Sequence, residues 1–537
     1  MAEKNVSIFN DVLGPVITGP SSSNTAGALR VTRMMRALMP DFKKAVIYVD
    51  DIPGAFAPAL QGLKSGVAFA AGLLDFEVND LRIADARKIA KEMGLSIRFE
   101  IKHFKDFGYA ELVETVMENS VGEVISAVGA SIGGGMAKLL EVNGIPVDIR
   151  GSAYEIMIYS KTRICEKLKR AVYDRISSKT VIIEDKFISD KNGEIYEIKV
   201  EKKISKELEN ELKIAAENAG NKLFVFDAIL TVSEKKQEAR LPFTTTAELD
   251  KYLADTGKTM FEAAVDYETN RSGWSEKEVF DYAQYLVKSM KISVEEGLEG
   301  DYKMSGYSIP YSGKIRDTYN NTKKLIPLGV ADKAAYYAMA VMELNSGMGR
   351  IVTCPTAGSS GIMPGILLAM IEDCGISLEK ATEGFLVGGL IGMFVAALAN
   401  FDGSDGACQA EVASGCAMGA AAACYIMGGT TKQIENAAVL CFEALMGLIC
   451  DPIAVYPEVP CILRNPMGCS VAFTMTNLAL CDYNPFVPLD EIIVAMRDVG
   501  AQMPPYLRCQ CSGTCATPTA QKIKENMEKI NVFNFNE

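Results

Sequence analysis

Histidine is almost missing from this chain: among 537 residues there is one, His103, and there is also only one tryptophan. A single imidazole excludes a His-rich zinc site and confines histidine acid–base chemistry to one side chain. His103 lies in IKHFKDFGYA and reads as a strand-end or surface residue. Basic blocks are missing as well. A formal charge of −13 makes a poor binder of nucleic acid or of an anionic membrane surface, and points to small-molecule substrates. The opening MAEKNVSIFNDVLG lacks a basic segment followed by an apolar one, so no signal peptide is read and a cytoplasmic protein is expected. The most apolar run, FLVGGLIGMFVAALA (385–399), is short for a membrane span and reads as a buried helix. Cysteine is scarce early: of 14 in the chain, only Cys165 precedes residue 354. Without secretion, disulfides are not expected, so the later cysteines divide between small buried hydrophobes and metal ligands.

What is present falls into three parts, within the roughly two to four domains that this length allows. Residues 1–150 mix strands (KAVIYVD, LSIRFEI) with a helix (LRIADARKIAKEMG), and GEVISAVGASIGGG ends in a glycine run that implies a tight turn. Residues 151–235 alternate as β-α-β-β-α-β, with SDKNG as the hairpin turn, which predicts a ferredoxin-like module. Residues 240–537 are rich in Ala, Gly, Met and Leu, as in AMGAAAACYIMGG, and predict packed helices with small residues at their contacts. The expected class is therefore α+β multidomain: a mixed α/β domain, the ferredoxin-like module, and an all-helical domain.

Two features carry chemistry. The stretch GPSSSNTAGALR (19–30) places five polar residues at a helix start, where one cap would suffice. One of Ser22, Ser23 or Asn24 is expected to be that cap. Second, Cys408, Cys450 and Cys461 sit in GACQAEV, GLICDPIAVYPEVP and VPCILRNPMG, beside Gly, Pro or Asp, and so on loops or helix ends. Cys416, Cys424 and Cys441 lie in Ala-rich helical runs and read as core.

Taken together, GPSSSNTAG, SIGGGMAKLLEVNGIPVDIRG, MGRIVTCPTAGSSGIMPGIL, GACQAEV, GLICDPIAVYPEVPCILRNPMG and ATPTA resemble the bacterial iron–sulfur L-serine dehydratases, in family order. The chain resembles the family's β-type and α-type parts fused. The resemblance implies a [4Fe–4S] cluster held by Cys408, Cys450 and Cys461, with one iron left open as a Lewis acid. It implies an oxygen-sensitive lyase, by default converting L-serine to pyruvate and ammonia. Ser21, Ser22, Ser23, Asn24 and Thr25 are expected at the substrate, and so are Thr356, Ala357 and Gly358 of PTAG. A homodimer is expected. The resemblance implies that the all-helical domain is the catalytic one and that the 151–235 module is ACT-like, and either binds an amino acid or is a plain subunit contact.

The chain also departs from that pattern. The family's Ser-Ser-Ser-His-Thr has Asn24 at the histidine, and a second family histidine corresponds to Leu63. Asn24 hydrogen-bonds but shuttles no proton. Lys64, beside Leu63, is then a candidate base if burial depresses its pKa. The tail LRCQCSGTCATPTA offers Cys509, Cys511 and Cys515 as a fourth ligand for the open iron. Three readings follow: serine dehydration; the same elimination from L-cysteine, L-threonine or another β-substituted amino or hydroxy acid; or an iron–sulfur sensor that binds an amino acid without turnover.

Overall fold

The computed structural model describes residues 6–52, 55–236, 241–508 and 512–530. Strand β1 (Val16–Thr18) leads through one turn of π-helix, Ser22–Gly27, into helix α1 (Ala28–Arg36). A six-stranded sheet follows, made of β2 (Phe42–Val49), β3 (Ser96–Ile101), β4 (Leu112–Asn119), β5 (Val124–Ser131), β6 (Ala137–Val142) and β7 (Ile145–Ile149). Their spatial order is β3-β2-β4-β5-β6-β7. β2 and β3 run parallel, and helices α2 (Phe56–Gly62), α3 (Ser65–Leu73) and α4 (Ala86–Glu92) make that long crossover. The other neighbours are antiparallel. Gly133, Gly134 and Gly135 all take positive φ, which turns the chain sharply between β5 and β6. Helices α1 and α3 bury Leu29, Val31, Met35, Phe69 and Leu73 against the sheet.

The second region orders its strands β8 (Tyr154–Ser160), β9 (Ile182–Asp190), β10 (Gly193–Val200) and β11 (Lys222–Phe226) as β11-β8-β10-β9, with every neighbouring pair antiparallel. Alternation along each strand serves two cores. Ile156, Ile158 and Ile198 pack with Val172 of helix α5 (Glu166–Ser177) and Leu212 of helix α6 (Lys206–Asn218). Met157, Tyr159, Ile195, Phe224 and Phe226 join the core of the first region.

The third region is helical except for β12 (Arg350–Val352), which pairs antiparallel with β1. The helix Leu378–Leu398 runs through its centre. It is long and apolar enough to cross a membrane, but 83% of its apolar window is buried by protein, as read from the sequence. Its glycines receive the start of the chain. A Cβ on Gly392 would sit 2.2 Å from Val12, and one on Gly389 would sit 2.4 Å from Leu13. Residues Val6–Leu13 thus belong to the helical core, although composition groups them with the first 150 residues. The start of the chain is anchored in its last region, and that holds the polar stretch after Gly19 against the helices.

Candidate functional site

A cavity of about 330 Å³ lies where the first and third regions meet. The first region contributes Ser21, Ser22, Ser23, Asn24, Leu63 and Glu111. The helical region contributes Gly358, Asp402, Ser404, Glu411, Cys450, Val455, Cys461 and Lys524.

The cap of the polar stretch is Ser21, not one of Ser22, Ser23 or Asn24: its Oγ accepts from the Asn24 backbone N–H at 3.1 Å. One hydroxyl satisfies the helix start, so the next three side chains are left for other work. Thr25 does not line the cavity. Its hydroxyl donates to the Leu63 carbonyl at 2.8 Å and so fixes Leu63 as part of the wall. Asn24 Nδ2 donates to Glu111 Oε1 at 2.7 Å. Glu111 is buried, and burial, with Asp402 facing it, pushes its carboxyl up to about 8. Lys64 caps α3 with a left-handed backbone, φ 60°. Its ammonium faces Glu458 and Lys303, burial lowers its pKa, and it does not line the cavity.

On the helical side the PTAG turn works through one residue of its own and one borrowed. Gly358 reaches the cavity, while Thr356 and Ala357 are buried behind it. Thr356 Oγ1 donates to Glu411 Oε1 at 2.7 Å. Burial lifts Glu411 to about 7, and the Thr356 bond offsets part of that. Asn465 stitches this turn to the cysteines: its amide nitrogen donates to the carbonyls of Gly358 at 2.9 Å and Cys461 at 3.1 Å, and its oxygen accepts from Gly361.

Cys450 and Cys461 line the cavity, and Cys408 is buried behind them. Arg464 ties the group together. It donates to Cys408 Sγ at 3.0 Å and pairs with the buried Asp451 at 2.7 Å. Burial pushes the Cys461 thiol up to about 12 and the Cys408 thiol well above its usual range, with Cys461 raising Cys408 further. Two cysteines at the cavity wall with a third buried behind them offer soft donors that suit iron, which holds its ligands as thiolates. Cys450 is disulfide-bonded, against the expectation of no disulfides, and its sulfur is open to a metal only once that bond is reduced. Cys416 and Cys424 are buried in the helix Ser414–Ile426 and Cys441 in the helix Thr431–Leu445, as core residues. The tail docks beside the site, through Cys450 N–H to the Leu507 carbonyl and Thr514 N–H to Asp451. Cys515 is buried there without lining the cavity, and Cys509 and Cys511 lie outside the described residues.

His103 is exposed at the end of β3, 3.0 Å from Asp50 and 3.6 Å from Asp51. These three could hold a cation between them, at the expense of the His103–Asp50 pairing. Residues that the sequence did not single out are Glu111, Asp402, Glu411, Arg464 and Asn465. Glu411 and Arg464 had a signal, a charge three residues from a cysteine on a helical segment. Glu111 had none.

A family model described as serine dehydratase alpha chain matches residues 191–516. The L-serine dehydratase alpha chain of Peptoniphilus asaccharolyticus is 34% identical over 290 residues, covering 53% of this chain and 98% of that one. The probable L-serine dehydratase alpha chain of Bacillus subtilis (strain 168) is 35% identical over 254 residues, 47% of this chain and 84% of that one. L-serine dehydratase 1 of Escherichia coli (strain K12) is 32% identical over 270 residues, 49% of this chain and 59% of that one. The matched span contains every cavity residue of the helical side except Lys524, and none from the first region. With 326 consecutive residues of the family pattern, cysteines and PTAG turn included, the chain belongs to the serine dehydratase alpha chain family.

Proposed function

We propose that this chain is a lyase that removes water from L-serine, giving pyruvate and ammonia. The observation that carries the reading is the shared cavity: the serine-rich loop of the first region and the cysteines of the family-matched region face one space. Cys408, Cys450 and Cys461 would hold a [4Fe–4S] cluster, whose open iron supplies a Lewis acid for the departing hydroxyl when bound.

The remaining work falls to this chain's own groups. Ser22 and Ser23 offer hydroxyls, and Lys524 a positive charge, to the substrate carboxylate. Glu411 is the group we assign to removal of the α-proton, since a carboxyl lifted to about 7 is a base matched to neutral pH. Thr356 holds it in place. The elimination yields an enamine that tautomerises and hydrolyses in water. We read the second region as ferredoxin-like and ACT-like from its strand order, and the three parts as 1–150, 151–235 and 240–537.

A second reading, elimination from a larger β-substituted amino acid such as L-cysteine or L-threonine, is favoured by one feature. Leu63, Ala55, Ala59, Pro58 and Val455 make one wall apolar, where the resembled family carries an imidazole. Protein purified and assayed without oxygen, with its cluster loaded, should form pyruvate and ammonia from L-serine. Formation of product only from the larger acids would select the second reading, and no product from any of them would overturn both.

A further inference from the structure

Two oxygens in the cavity wall accept no well-formed hydrogen bond: Asn24 Oδ1 and Glu111 Oε2, although, against the rise that burial causes, the nearby Ser131 and Ser23 hydroxyls lower the pKa of the Glu111 carboxyl. Their residues are only 8% and 6% exposed, and both line the cavity. They are neighbours, because the Asn24 amide nitrogen donates to the other oxygen of the same carboxyl group at 2.7 Å. That bond uses the donor end of the amide and leaves its acceptor end open. Buried acceptors without a donor are costly and uncommon, and two side by side in a ligand cavity call for a guest rich in donors. Charge narrows the choice. Asp51, Asp402 and Glu411 also line this space, against the single cation Lys524 among the described lining residues. A carboxylate guest at Glu111 would meet repulsion and more acceptors. A hydroxyl offers one donor, and an ammonium offers three and a positive charge.

We propose that Asn24 and Glu111 form the receptor for the substrate's α-ammonium group, making this chain selective for α-amino over α-hydroxy acids. The proposal rests on reading the cavity as an amino-acid lyase site. It gives a role to Asn24, which stands where the resembled family has a histidine: the amide is a fixed acceptor held by Glu111.

The protonation of Glu111 supplies a signature. Asp402 faces it directly, and Asp405, Asp11 and Arg150 lie with it around the adjoining cavity. Asp51, Glu411 and Lys524 face it across the main one. In the empty site burial keeps the carboxyl protonated to about pH 8. A bound ammonium favours the carboxylate, so binding releases that proton.

The test uses the cluster-loaded protein without oxygen and the pair L-alanine and L-lactate, which lack a β-leaving group and so report binding alone. Calorimetry should find L-alanine bound about 100-fold more tightly than L-lactate, the discrimination expected when buried polar groups lose their partner. Titration in buffers of different ionisation enthalpy should find about one proton released per L-alanine at pH 6.5 and about half a proton at pH 8. Glu111→Gln should weaken L-alanine by about 30-fold or more, leave L-lactate within about threefold, and abolish the proton release. Equal affinity for the two acids in the wild type, no measurable binding of L-alanine, or release that persists in Glu111→Gln would overturn the proposal. If that variant does not fold, the wild-type proton release decides alone. L-alanine bound with this signature while L-serine, L-cysteine and L-threonine go unconverted would refute the lyase reading and leave this one standing. Conversion of L-serine without amino-acid preference would do the reverse.

Discussion

The two walls of the cavity differ in kind. The helical wall, with Gly358, Glu411, Cys450 and Cys461, lies in the span shared with the serine dehydratase alpha chains and carries the groups suited to breaking bonds. The wall from the first region, with Ser21–Asn24, Leu63 and Glu111, lies outside that span and carries groups suited to holding a substrate. Departures from the resembled pattern, Asn24 and Leu63, fall on the second wall. On the proposed function the two walls divide the labour: one would fix the reaction class, and the other would choose what undergoes it. Such a division would place selectivity where it can change without disturbing the proposed cluster ligands.

The sharpest way to break that comparison is to remove a sulfur. Cys461→Ala should leave iron and sulfide at background in protein purified without oxygen, and lower pyruvate formation from L-serine by about 1,000-fold or more. Full iron content in that variant would remove Cys461 from the ligand set. Next in size is the ion pair beneath the cysteines. Arg464 is half-buried and pairs with the buried Asp451 at 2.7 Å, so Arg464→Leu would leave a buried carboxylate without its counter-charge, held only by Thr514 among the described residues. The expected loss is about 3–5 kcal/mol in urea unfolding, accompanied by weaker iron retention. A change below about 1 kcal/mol would mean that the pair does not organise that wall.

Each wall also holds a carboxyl that desolvation pushes up, the buried Glu111 to about 8 and the half-buried Glu411 to about 7. A raised carboxyl keeps its proton in the folded chain and loses it in the unfolded one over the range between the two pKa values. Stability from this source is therefore complete below about pH 4 and is lost as pH climbs through 7 to 8. The cluster-free protein should lose on the order of 3 kcal/mol per group between pH 5 and pH 8.5. Glu411→Gln should reduce the slope only below about pH 7, and Glu111→Gln should remove the part above pH 7 and also reduce the part below it, read from denaturation midpoints across pH. Two slopes that vanish together would mean the walls titrate as one unit.

Local pattern made much of the fold legible. The strands 44–50 and 95–101, the β-α-β-β-α-β order of the second region and the buried character of 385–399 all rest on periodicity and length, and the structure has them. The pairing of β1 with β12 was not legible, since three-residue strands more than 330 residues apart leave no local signature. Nor was the packing of Val6–Leu13 on Gly389 and Gly392, because a glycine in a helix does not say which segment approaches it. The cysteines and the serine-rich loop could be named from their neighbours in the chain. Glu111 could not. It sits in a loop before β4, and its meaning comes from burial, from Asn24 and from the cavity, none of which is a property of nearby residues.

The smallest effect is expected at Lys64, and it separates the walls most cleanly. From sequence this lysine is a candidate base. In the structure it caps α3 at φ 60°, points toward Glu458 and does not reach the cavity. A left-handed backbone costs a residue with a side chain about 1 kcal/mol that glycine avoids. Lys64→Gly should therefore keep kcat/KM for L-serine within about twofold and hold or raise stability by up to about 1 kcal/mol. A lysine that removed the α-proton would give the opposite result, a loss of about 100-fold or more in kcat with stability intact. That outcome would move the base from Glu411 to the substrate-holding wall. An unchanged rate would leave the chemistry with the helices and the recognition with Asn24 and Glu111.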